Sequence, residues 1–175
     1  MALAYFSTSS AINISRPEWG EFSGTGPFLV DESLLPQIYA ELDAAGVTVT
    51  RWNVYECLIP EDSDVAEWPV MNPRTQIVVS GVNLIPISNL VGATDNYDTY
   101  QLLCISTTPA TVATVASWAN TSGTALAYVK QALTMSTVAS AATVAADYRL
   151  SLKKGTTGSG LDNPHMLLQI LYYEP

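Results

Sequence analysis

Between Thr75 and Ala146 the only Asp, Glu, Lys, Arg or His side chains are Asp95, Asp98 and Lys130; the rest is dominated by Val, Ile, Leu, Ala, Thr, Ser, Asn and Gly. Water-facing surfaces are usually about 25–35% charged, so so neutral a stretch is hard to expose along its length on a lone soluble molecule. It is not a membrane helix either. Polar residues interrupt it every few positions, and no run approaches the roughly 20 apolar residues a span needs. Such a segment is expected to lie against protein: partly its own fold, partly copies of itself or partner subunits.

The remaining charge is unevenly placed. Met1 to Arg74 holds 3 basic and 11 acidic residues, whereas Asp147 to Pro175 is balanced, and the whole chain of 175 residues carries −9. Lys153-Lys154 is the only basic pair. That is too little to displace counterions from a phosphate backbone, so nucleic acid is not expected as a partner. The acidic N-terminal half is expected to face solvent or a basic partner. Met-Ala-Leu-Ala-Tyr-Phe lacks the basic start and long apolar core of a secretory signal, which points to synthesis in a cytoplasm. Cys57 and Cys104 read as two buried thiols, although strand-like surroundings leave a bridge geometrically open.

Residues 1–30 are punctuated by Pro17, Gly20, Gly24, Gly26 and Pro27, and read as an extended arm whose Tyr5, Phe6, Ile12 and Trp19 pack on a neighbour. Residues 31–175 then form one globular domain. Leu34, Leu35, Ile38, Leu42 and Ala45 line one face of a helix that Asp31 or Ser33 caps and Gly46 ends. Val47–Ile59, Thr75–Ile87 and Tyr100–Ile105 read as strands, the last two apolar on both faces. The spacing of Val112, Val115, Ala116 and Ala119, then of Leu126, Val129 and Leu133, predicts helices within 108–146, with short strands as the rival. Asp147–Lys154 and His165–Tyr173 read as a hairpin-like pair joined by a Gly-rich loop. The fold class expected is α+β, an antiparallel sheet with helices on one face and an extended N-terminal arm; an all-β sandwich or jelly roll is the alternative. The last strand carries Leu167, Leu171 and Tyr173 on a second apolar face that needs cover.

Catalytic signatures are missing. His165 is the only histidine, which leaves nothing to build a triad or a zinc site from. Gly155–Gly160 lacks the Lys and helix of a phosphate loop. Glu61, Asp62, Asp64 and Glu67 could offer oxygens to Ca²⁺ but lack the EF-hand spacing, and read as a solvated loop. No enzyme activity, cofactor or metal is expected; an enzyme would need a cleft around Glu56 or this loop. Trp19, Trp52, Trp68 and Trp118 read as packing anchors, Trp118 among the interface candidates. The alternative is a carbohydrate-binding β-rich module with exposed Trp and Tyr.

The stretch PATVATVASWANTSGTALAYVKQALTMSTVASAATVAA, the Gly/Pro-punctuated arm and the strand finishing at Tyr173 resemble bacteriophage virion structural proteins: capsid-decoration, neck and tail components. The likeness is compositional. It implies a non-enzymatic assembly protein of the virion, made in the host cytoplasm, with copies of itself and other virion proteins as partners. It implies a homo-oligomer; the charge balance and hydropathy add that neither nucleic acid nor a membrane is expected as a partner.

Overall fold

A computed structural model describes residues 3–61, 67–108, 110–121, 123–161 and 164–175. Its strands are β1 (Leu3–Thr8), β2 (Ile12–Arg16), β3 (Gly20–Gly24), β4 (Phe28–Asp31), β5 (Val49–Ile59), β6 (Glu67–Met71), β7 (Ile77–Pro86) and β8 (Leu90–Gly92). They continue with β9 (Tyr97–Ile105), β10 (Thr111–Ala119), β11 (Gly123–Ala125), β12 (Gln131–Ala132), β13 (Thr134–Met135), β14 (Thr143–Val144), β15 (Arg149–Thr157) and β16 (Met166–Glu174). The single α-helix described, α1 (Leu35–Ala44), follows a 3-10 turn at Glu32–Leu34. The architecture is mostly β, which overturns the α+β expectation and stands closer to the all-β alternative.

The chain divides into two compact units, residues 1–53 with 173–175, and residues 54–172. In the first, β1 pairs antiparallel with β4 and with the opening residues of β5, and β2 and β3 form a hairpin. Their core is Phe6, Ile12, Phe22, Val30, Ile38 and Leu42. Phe6 and Phe22 meet edge to face at 5.5 Å, and Trp19 packs on Phe22. Residues 3–30 are thus not an extended arm: Phe6, Ile12, Phe22 and Val30 bury one another. The turns Gly and Pro supply close short strands here instead of breaking structure.

The helix forms as its periodicity requires. Ile38 and Leu42 are the buried pair one turn apart, Asp31 accepts a hydrogen bond from the Ser33 amide (2.9 Å), and Gly46 leaves the helix at φ 71°. The hydrogen bonds from Ser33 lower the Asp31 pKa. A depressed carboxylate stabilises above its unfolded pKa, so this contribution is present at neutral pH and fades as pH falls through the folded-state value.

The second unit is built mainly from two sheets, with β8 and β11 forming a small two-stranded sheet of their own. In one, β12 and β14 border β7, β7 lies beside β16, and β16 beside β5; the other runs β13-β10-β9-β15-β6. Val79, Leu84, Met166, Leu168 and Ile170 of the first share one core with Tyr100, Leu102, Cys104, Leu150 and Leu152 of the second. This is the arrangement of a β-sandwich. β15 and β16 belong to different sheets, so they are not a hairpin-like pair. Cys57 and Cys104 are free thiols, each with its pKa pushed up by burial.

The helices expected within 108–146 are absent from the described residues, where β10 to β14 stand with one 3-10 turn at Ala139–Ala142. The reason lies in the β10–β9 register, which slips at Val112 and again at Val115. Each bulge places two β10 residues against one on β9 and breaks the in-out alternation. Val115 and Ala116 are consequently both buried while Val112 is exposed, so apolar residues at helical spacing in the sequence do not share a face in the strand. Thr and Val, stiff at the β-carbon, decide for strand. Pro109, read as a first helical residue, lies outside the described residues.

Two outcomes check this fold. Far-UV circular dichroism should show a β-dominated spectrum with little helical signal. Leu102→Ala, a truncation in the shared core, should cost about 2–5 kcal/mol in urea unfolding, the range for such cavities.

Candidate interaction surface

Strand alternation gives β5 and β16 two unlike faces. On the inner side, Met166, Leu168 and Ile170 are fully enclosed, and Tyr55, Cys57 and Ile59 pack on the core. On the outer side stand Val54, Glu56 and Leu58 from β5 and Leu167, Gln169 and Leu171 from β16. Val54 is 60% and Leu58 57% exposed, and Leu167 and Leu171 are half-buried. Gly81 on β7 faces the Leu171 side chain, and Ser80 donates to the Leu171 carbonyl (3.1 Å). Val54, Glu56, Lys130, Gln169 and Leu171 line a shallow open groove of about 530 Å³.

The groove contains one acid and one base. Gln169 donates a hydrogen bond to Glu56, which fixes the only carboxylate on this face of the two strands. Glu56 thereby serves a polar contact within the sheet.

A second exposed apolar group begins just before Lys130. Leu126, Tyr128 and Val129 stand out of the fold, Tyr128 at 74%, with Ile87 close in the neighbouring turn. The segment is fastened to that turn: the Ala127 amide donates to Asn89 Oδ1 (2.7 Å) and the Tyr128 amide to the Pro86 carbonyl (2.8 Å). Tyr128 adopts φ 61°, a left-handed conformation rare for a bulky residue. An aromatic held at that cost and turned to solvent has no folding role visible in its contacts.

The other candidates fall differently. Phe6 and Ile12 are buried in the first unit's core, and Trp19 is half-buried there. Tyr5 is exposed. Tyr173 packs edge to face on Trp52 at 5.0 Å, and Trp52 Nε1 donates to Ser7 Oγ. Trp118 stacks on Tyr100 at 5.8 Å, and Trp68 is buried. All four tryptophans are thus buried or half-buried in packing, so the pair of exposed coplanar rings that sugar stacking needs is not formed. Val54, Leu58 and Tyr128 were missed by the sequence reading, although Val54, Glu56 and Leu58 alternating with Tyr55, Cys57 and Ile59 already marked two faces.

Asp62 and Asp64 of the acidic loop lie outside the described residues. Glu61 approaches His165 Nδ1 at 3.6 Å. Among the described residues no group of three His, Cys, Asp or Glu side chains could hold a metal. Within the glycine-rich run Gly158 is required by packing: it sits at φ 71°, where a β-carbon would come within 2.4 Å of the Asp95 carbonyl oxygen. In the first unit an open groove of about 1070 Å³ is bordered by Glu32, Asp43 and Glu174, in keeping with the acidic first half.

No protein-family model matches this chain, and no curated protein does. Among solved structures it is similar to a chain of infectious bursal disease virus, Gt strain, with TM-score 0.29 and 11% identity over 73% of this chain and 35% of that one. It is also similar to a chain of the Gx strain, with TM-score 0.33 and 10% identity over 95% and 38%. Superposition at this level establishes neither a shared fold nor a shared role. This chain spans little more than a third of each of those two chains.

If Tyr128 is kept for its surface and not for the fold, Tyr128→Asn should raise stability by about 0.5–1 kcal/mol in urea unfolding, because Asn tolerates the left-handed region better.

Proposed function

We propose that this chain is a non-enzymatic structural subunit of a virus particle, acting by repeated protein–protein contacts and located in the virion. The observation that carries the reading is the outer face of β5 and β16, where Val54 and Leu58 are exposed and Leu167 and Leu171 only half-buried, in a chain that is 13% charged. Uncovered apolar surface of this kind marks a contact surface. Many identical copies multiply a modest contact into a stable assembly. The partners are copies of itself and other virion proteins. The compositional resemblance extends the proposal to a bacteriophage capsid-decoration, neck or tail subunit.

Sedimentation velocity tests it. The purified protein should self-associate with rising concentration or co-sediment with other virion proteins. Leu58→Asp with Leu171→Asp should abolish this while the far-UV spectrum is retained. A wild-type chain that stays monomeric at high concentration and binds no virion protein contradicts the proposal.

A further inference from the structure

One ion pair is sealed inside the second unit. The Asp98 side chain is 0% and that of Lys154 5% exposed, and Lys154 Nζ lies 3.4 Å from Asp98 Oδ2. The strands place them. Lys154 follows Leu150 and Leu152 on the inward side of β15 and stands opposite Tyr100 of β9. Asp98 lies two residues back on β9, diagonal to Lys154. Burying two charges this way is expensive, and the pair is a poor device for stability alone.

The surroundings do more than hold a salt bridge. The Leu161 amide donates to Asp98 Oδ1 (3.3 Å), and the Leu161 carbonyl accepts from Lys154 Nζ (3.2 Å). The Tyr100 hydroxyl hydrogen-bonds the Asp98 carboxyl, and Trp118 stacks on the Tyr100 ring. Asp98 Oδ2 has no hydrogen-bond partner. One carboxyl oxygen is therefore bound by a donor, and the other faces the amine.

We propose that Lys154 and Asp98 condense to an intramolecular amide that links β15 to β9. The reaction begins when the ammonium passes one proton to the carboxylate it faces, which frees the Nζ lone pair and leaves a carboxylic acid. The Nζ lone pair attacks Asp98 Cγ, forming the C–N bond. The Leu161 amide and the Tyr100 hydroxyl stabilise the negative charge that develops on oxygen. The C–O bond to the second oxygen breaks, and that oxygen leaves as water with one proton from the acid and one from the amine. No oxidant, metal or further reactant is consumed. Burial and the adjacent Asp98 push the Tyr100 pKa upward, so the phenol remains a donor throughout. The product braces β9 and β15, neighbours in the five-stranded sheet, in a chain whose two described thiols are free.

Intact-mass spectrometry of the denatured full chain tests this. The wild type should be lighter than its sequence by one water molecule, with the Asp98 and Lys154 peptides joined after digestion. Lys154→Arg should show its full sequence mass, and Tyr100→Phe a larger uncondensed fraction. A wild type of full mass, or a missing water that persists in Lys154→Arg, overturns the proposal. The wild-type measurement stands even if a variant fails to fold.

Discussion

Two strands that are apolar on both sides govern the rest of this structure. β16 and the latter half of β5 each present one row to a sealed core and another to the outside. The inner rows are settled by the opposite sheet, through Leu102, Leu150 and Leu152. The outer rows have no second layer, and the hydrogen bond between Gln169 and Glu56 satisfies polar groups without hiding the leucines and valines. A fold can remove such rows from water only by adding a layer or by meeting another protein. The described chain adds no layer.

The ion-poor segment divides along the same line. From Ile77 to Ile105 it builds β7 and β9, whose side chains are mostly enclosed. Beyond Thr121 it sends Ala125, Leu133 and Val144 into the core but leaves Leu126, Tyr128, Val129 and Val138 exposed. Scarcity of charge therefore has two physical origins in one stretch: core in both its parts, and uncovered surface in its second.

Legibility followed the same division. The helix, with Ile38 and Leu42 one turn apart, and the strands around Val49–Ile59, Ile77–Pro86 and Tyr97–Ile105 could be read from pattern, because periodicity and burial agree in them. β10 could not, since its bulges put Val115 and Ala116 on the buried side together and break the match between sequence spacing and face. The N-terminal residues are only partly legible, because glycine and proline there exclude a helix or a long strand and equally make the turns between short ones. The interface was half visible: Leu167 and Leu171 showed in the two-sided pattern, while Tyr128 depends on a left-handed backbone that no composition reveals. Lys154 reads in the sequence only as half of the one basic pair, and strand register is what shows it facing inward beside Asp98.

The central claim is that the outer row of β5 and β16 is covered by protein where the chain works. Side-chain footprinting with hydroxyl radicals, comparing the isolated chain with its assembled form, tests this most directly. Leu58, Leu171 and Tyr128 should label strongly in isolation and be protected on assembly, with exposed Tyr5 and Val112 as internal references. Equal labelling of Leu58 and Leu171 in both forms would contradict the account.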